Sequence, residues 1–428
     1  MRQLRLRASL VLLLSLTVDH AMTATRAADP QPSYQDDVQL LAQHTSVLEF
    51  GDGKLARVAV CPQWQGRVMT STCDGPQGAS FGWISRDFIA AGKSSKEFNN
   101  YGGEDRFWIS PEAGQFGFFF EPGAEQTVTN AITPPGLNEG AFEVAKEFGS
   151  PSELGSRTFR RDGVQLTKRV NLTNYSKTDF QLDIVRNFKL LDAEQFAELC
   201  GIDRAALTGS GAPHLVGFAT ENAVVNRGPA MKRETGLLSI WSLGQFKPGP
   251  RTVIIAPFQS GDGKSAVTSD YFGPVPDNRL KIVDGAVYFL GDGKFRAKFG
   301  IAAGRAKPIA GSFDFDNNVL TIVSYTLPAD AARRMYINNL WQLPLDKPYQ
   351  GDAFNSYNDG PAQPGAETLG GFYELETLSP TLELAPGETL SHTHRTFHLQ
   401  GDFQPLAAIA RSALGVDLNQ VRHTMFPK

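Results

Sequence analysis

Short apolar or alternating runs, broken by Gly, Pro, Asn and Asp, fill the chain from about residue 45 to residue 400. Phe180, Leu182, Ile184, Arg186 and Phe188 alternate with Gln181, Asp183, Val185, Asn187 and Lys189. Val319, Thr321, Val323 and Tyr325 alternate with Leu320, Ile322, Ser324 and Thr326. Period two with β-branched and aromatic enrichment predicts strands, because successive side chains point to opposite faces. Residues 116–120 and 252–258 are continuous apolar runs, which predicts strands buried on both faces. Asn355-Ser356-Tyr357-Asn358-Asp359-Gly360 has the composition of a turn and predicts a loop.

Helix signals are few. Residues 192–200 begin with acidic side chains and carry Phe196, Leu199 and Cys200 on one side. Residues 329–335 predict a short helix, and residues 406–414 an amphipathic one stopped by Gly415. Gly-Asp-Gly-Lys occurs at Gly51, Gly261 and Gly291, and Asp-Gly supplies the positive φ of tight hairpin turns. The copies are unequally spaced, so they mark no repeat, and they lack the strand-to-helix setting of a phosphate loop. No linker divides the chain. The expectation is an all-β fold, residues 45–428 forming one large antiparallel sandwich with a few peripheral helices. The polar, proline-containing stretch before it, residues 29–44, is expected to be a flexible leader.

The first residues change the picture of where the chain works. Arg2, Arg5 and Arg7 precede an apolar run over residues 8–18, and small residues lead to Ala27 and Ala28. This is the pattern of a secretory signal peptide spanning residues 1–28, cleaved near Ala27 or Ala28. A periplasmic or secreted protein follows. The run is shorter than the roughly 20 residues that span a bilayer, and no later segment is a transmembrane candidate. Removing residues 1–28 takes away four arginines and one aspartate from 41 basic and 45 acidic residues, leaving a net charge near −7. With no dense Lys/Arg cluster, nucleic acid is not an expected partner. Of the three cysteines, Cys61 and Cys73 either bridge or are buried apolar residues; Cys200 is left over.

Three polar clusters carry candidate chemistry. The first runs from Gly102 to Glu112 and includes Glu104, Arg106, Trp108 and Glu112. Carboxylates and a guanidinium interleaved with rings suit a saccharide, whose hydroxyls bond to charge and whose ring face stacks on an aromatic. An internal ion-pair network fits the same residues. The second cluster, Asn355, Asn358 and Asp359, is a candidate for ligand contact from a loop. In the third, Glu374 and Glu376 share one face of a strand, as do His392 and His394. Two carboxylates beside two imidazoles offer an acid and a base near neutral pH. Two histidines fall short of the three protein ligands usual for zinc, so no metal site and no cofactor is expected. Calcium at Asp314, Asp316 and Asn317 is the one ion the sequence suggests, where a plain turn serves as well.

Leu375-Glu376-Thr377, Pro380, Leu384-Ala385-Pro386-Gly387-Glu388, His392 and Phe397 resemble the C-terminal signature of galactose mutarotases (aldose 1-epimerases). Val216-Gly217-Phe218, Glu221-Asn222, Asn226-Arg227-Gly228, Gly66-Arg67-Val68 and the text from Gly103 to Glu112 resemble a family of bacterial exported proteins in the same superfamily, with no assigned reaction. The second likeness covers nearly the whole chain after the signal. Together they imply a mutarotase-like β-supersandwich and a saccharide ligand. They imply Glu376 as general base, with Glu374 its neighbour, and Arg67 on the concave binding face. The likeness to mutarotases breaks at one point. Their acid histidines lie in an Asn-His-x-Tyr-like context before or near mid-chain, whereas between His44 and His214 this chain has no histidine. Arg106, His392 or His394 would have to replace them, or the protein binds sugar without catalysis or serves as an envelope structural protein on the same fold.

Overall fold

Strand alternation divides the Thr252–Pro257 strand between two cores. Val253 and Ile255 pack with Phe313, Leu320, Phe397, Leu406 and Ile409, while Ile254 and Ala256 pack with Phe289, Phe299, Phe354 and Leu375. A strand covered on both faces has no use for polar residues, which is why this run reads as continuously apolar. The structure is a computed structural model. It describes residues 31–427, except 150–151, 155–156, 160–161, 262–265, 362 and 364, and without side chains for 150–161. The expected signal peptide and the turn text Asp262-Gly263-Lys264 lie outside the described residues.

From Pro32 onward the chain is one unit. Its largest layer is a ten-stranded antiparallel sheet that includes Gly163–Thr173, Asp179–Leu191, His214–Asn226, Thr389–Gln400, Val319–Tyr325, Ile309–Asp314 and Thr252–Pro257. A six-stranded sheet packs against it. Its order is Val267–Thr268, Ala297–Ala302, Asp352–Asn358, Tyr373–Leu378, Ser239–Phe246, Arg106–Ser110. A three-stranded sheet, Leu48–Gly51, Arg57–Cys61 and Arg67–Thr72, adds a further small layer. The helices Ala193–Cys200, Phe403–Leu414 and Leu418–Met425 share one apolar cluster with the outward residues of the large sheet. Asp192 caps the first of these, and Gly415, at φ 71°, ends the second in a left-handed conformation that favours glycine. The expectation of layered antiparallel sheets with few helices holds.

Three expectations need correction, and the alternatives left open for Cys61 and Cys73 are decided. Residues 29–44 are not all a flexible leader: Tyr34–His44 is an α-helix whose Tyr34, Val38 and Leu41 are buried. Ser33 and Asp36 form a reciprocal capping box that starts it. Ser33→Ala is expected to cost about 1 kcal/mol of stability, read as a lower urea midpoint; an unchanged midpoint would show that this helix is not part of the cooperative unit. Residues 116–120 form no strand. They turn back so that the amides of Phe118 and Phe119 donate to the carbonyls of Pro111 and Glu112, and Phe118, Phe119 and Phe120 are buried from a loop. Asn355 to Asn358 belong to a central strand, because neighbours on both sides bond their backbone and override the turn preference. Cys61 and Cys73 are free and buried. Cys61 pairs with Arg67 while Cys73 follows Thr72 at the far end of the same hairpin, and roughly five residues of strand rise hold the thiols well apart.

Candidate functional site

One face of the six-stranded sheet forms the floor of a cleft of about 310 Å³, at the small end of the roughly 300–1,000 Å³ usual for ligand sites. Alternation explains which residues reach it. Arg106 pairs with Leu243 and Trp108 with Trp241 across one ladder; Gln245 pairs with Glu374, and Glu374 with Tyr357, across the next two. Lys298 stands beside Tyr357 on the fifth strand, Ala297–Ala302. The next residues along, Phe107, Leu375 and Phe299, turn to the core between the sheets. Trp341, Phe98 and Glu112 close the side, and Arg296, Phe272 and Leu369 stand at the same cleft. Three of the chain's five tryptophans meet here.

Charge in the floor is paired and tightly buried. Arg106 Nη2 donates to Glu374 Oε1 at 2.7 Å. Lys298 Nζ donates to Glu376 Oε2 at 2.8 Å, and Trp241 Nε1 donates to the same oxygen at 3.0 Å. Trp341 Nε1 donates to Glu112 Oε2 at 2.8 Å. The Arg106 guanidinium lies 4.2 Å from the Trp108 ring centroid and 5.3 Å from that of Phe98, close enough for cation–π attraction. Burial raises the Glu374 carboxyl to about 8; Arg106 opposes the rise and Glu376 adds to it. Burial also raises Glu112, against the pull of Lys298 and the Trp341 hydrogen bond. A carboxylic acid tuned towards neutral pH at the wall of a cleft is positioned to exchange a proton with a bound ligand.

Four of the residues singled out from sequence line this cleft: Arg106, Trp108, Glu112 and Glu374. Glu376 shares their face but lies fully buried beneath Lys298 and Trp241, and both donate to its Oε2. The histidines are on the other side of the sheet. Thr377, between Glu376 and Leu378, points inward, and its hydroxyl bonds His392 Nε2 at 2.8 Å and His394 Nδ1 at 2.9 Å. Burial pushes His392 down to about 3 and lowers His394 as well, so both stay neutral.

Arg67 and Glu104 do not face the cleft. Arg67 donates to Gln65 and to the carbonyls of Gly102 and Asn99. Glu104 accepts from Ser71 and pairs with His398 of the large sheet at 3.0 Å. For these two the internal-network alternative describes what is seen. Asn355 bonds Tyr271 and Asp352. Asn358 clamps the turn at Asp292-Gly293, accepting from the Gly293 amide at 3.0 Å. Asp359 accepts from the amides of Gly370 and Gly371 and from the Tyr357 hydroxyl, thereby fixing the cleft edge that carries Leu369. Asp314, Asp316 and Asn317 bond one another within a turn, and Asp316 pairs with Arg251.

Lys298, Trp241, Trp341 and Arg296 were not singled out from sequence. Arg296 and Lys298 alternate with Phe295, Ala297 and Phe299, and two cations at period two in an aromatic strand are the signal that would have found them.

Solved structures to which the fold is similar, at low identity, include three proteins. A candidate aldose 1-epimerase of Escherichia coli K12 is 12% identical, with 83% of this chain and 99% of that chain covered and a TM-score of 0.46. The Slr1438 protein of Synechocystis is 13% identical, covering 84% and 96%, with a TM-score of 0.44. A candidate mutarotase of Salmonella typhimurium is 12% identical, covering 81% and 88%, with a TM-score of 0.40. No curated protein matches the sequence. Among the described residues no helix is long and apolar enough to cross a membrane. The family model that does match spans residues 32–425, nearly every element described above, and the chain therefore belongs to the family of unknown function DUF6786.

Proposed function

We propose that this protein is an exported saccharide-binding protein that moves a proton on its ligand through Glu374. The observation that carries the reading is the convergence of Trp108, Trp241 and Trp341 with Arg106, Lys298, Glu112 and Glu374 at one cleft. Indole rings bury the apolar face of a pyranose, and charged groups satisfy its hydroxyls. Glu374, raised to about 8, holds its proton in near-neutral buffer and releases it within reach of working pH, as a general acid must. Glu376 acts through Lys298 as a positioning residue.

The test is a titration of the chain lacking residues 1–28 with a panel of mono- and disaccharides, read by NMR of the anomeric protons. Line broadening with altered anomeric exchange is expected for at least one sugar. Broadening without any change in exchange or product favours the second reading, a saccharide-binding protein without catalysis. That reading is supported by the two strand histidines being neutral and behind the sheet. Trp108→Ala is expected to weaken binding by about 1–2 kcal/mol through loss of the ring face; unaltered affinity would remove Trp108 from the ligand.

A further inference from the structure

We propose that the cleft prefers a sugar carrying a carboxylate, a uronic acid residue, with that group seated on the free N–H groups of Arg106. This inference rests on the saccharide reading above. Arg106 is 3% exposed and lines the cleft. Glu374 occupies its Nη2, but Nε and Nη1 have no hydrogen-bond partner among the described residues. Trp108 Nε1, two residues along the same strand face, is likewise buried without one. Rings over a guanidinium satisfy its face and leave its in-plane N–H groups wanting. A buried donor without an acceptor costs about 1–3 kcal/mol, and all three atoms are donors. The missing complement is an acceptor-only group.

Charge narrows the choice. Glu376 is engaged by Lys298. Glu374 keeps its proton to about 8 and burial pushes Glu112 the same way. The buried guanidinium thus keeps two unpartnered N–H groups beside carboxyls that burial disposes to protonate, and a monoanion complements it where a neutral hydroxyl does not. A planar carboxylate offers two oxygens with about four acceptor sites, enough for the three donors. Arg296, whose guanidinium lies 4.1 Å from the Phe272 ring centroid, places another cation at this cleft. A phosphate dianion brings more charge than one guanidinium balances.

The experiment is calorimetry at pH 7 on the chain lacking residues 1–28. D-glucuronate, D-galacturonate and D-mannuronate are each compared with the parent hexose, the uronate methyl ester and the hexose 6-phosphate. At least one uronate is expected to bind tighter than its hexose and its ester by about tenfold or more. Arg106→Gln is expected to abolish that preference; the ester comparison, made on the unaltered protein, carries the test if the variant does not fold. Equal affinity for uronate and hexose, an ester as tight as the acid, or a tighter 6-phosphate overturns the carboxylate proposal while leaving a sugar in the cleft. No binding by any member overturns the saccharide reading itself.

Discussion

Replacing Arg186 with Met is expected to lower the stability of the fold by about 3–5 kcal/mol. Arg186 and Asp105 are both fully buried, with Nη2 to Oδ2 at 3.1 Å. Arg186 also donates to the Gly66 carbonyl at 3.0 Å, to the Asn222 side chain at 2.8 Å and to the Asp105 carbonyl at 3.2 Å. It joins the Asp179–Leu191 strand of the large sheet to Gly66 beside the small sheet and to the start of the Arg106–Ser110 strand. Methionine fills most of the volume but leaves the Asp105 carboxylate buried, with Thr220 its one remaining side-chain partner among the described residues. Uncompensated buried charge, not lost packing, is the main penalty. Urea unfolding measures it. A loss under about 1 kcal/mol would mean that the pair contributes little beyond the volume it occupies. Asp105→Asn in the Arg186→Met background is expected to recover part of the loss, since it removes the stranded charge.

Glu374→Gln is expected to slow proton exchange on the bound sugar by about 10²–10⁴-fold while leaving binding nearly intact. The amide keeps the shape and accepts from Arg106, but it carries no acidic proton. The same variant has a signature in stability. In the fold Glu374 keeps its proton to about 8, against an ordinary value of 4.5 for the unfolded chain. Between those values the folded chain holds the extra proton, so this group's contribution is whole below 4.5 and is lost as pH rises through about 8. Glu374→Gln therefore flattens the decline of stability between about 4.5 and 8. A variant with unchanged exchange and an unchanged stability profile would show Glu374 to be an ordinary ionised partner of Arg106.

His392 has the opposite sign. Its folded value is pushed down to about 3 from 6.5. Its contribution is present above 6.5 and is lost as pH falls towards 3, where the unfolded chain takes up the proton first. His392 thus weakens the fold as pH falls from 6.5 towards 3, Glu374 does so as pH rises from 4.5 to about 8, and Glu374→Gln removes only the second contribution.

Much of the fold was legible because alternation is imposed by burial. The strand texts around Phe180 and Val319 lie in sheet as read, and so do residues 252–257. Where the reading failed, long-range contacts decided. Nothing local distinguishes Phe118, Phe119 and Phe120 in a folded-back loop from the same residues in a strand; the amide bonds to Pro111 and Glu112 make the difference. Asn355 and Asn358 look like turn residues until ladders on both sides and side-chain acceptors satisfy them. The site was half legible. Arg106, Trp108, Glu112 and Glu374 lie within recognisable text. Parity on the strand told that Glu374 and Glu376 share a face, but not that His392 and His394 meet Thr377 from behind it. Lys298, Trp241 and Trp341 come from distant segments that only the sheet order brings together.

The central claim is that a sugar rests on the indoles of this cleft. The chain has five tryptophans, so the indole N–H region of a ¹⁵N-correlated NMR spectrum is a short and assignable readout. On adding a saccharide that binds, the Trp108 resonance is expected to move most, because its Nε1 has no partner among the described residues. Trp241 and Trp341 should follow, and Trp64, stacked on Tyr101 outside this cleft, should stay in place. Shifts centred on Trp64, or a bound sugar that leaves Trp108 unmoved, would contradict the account.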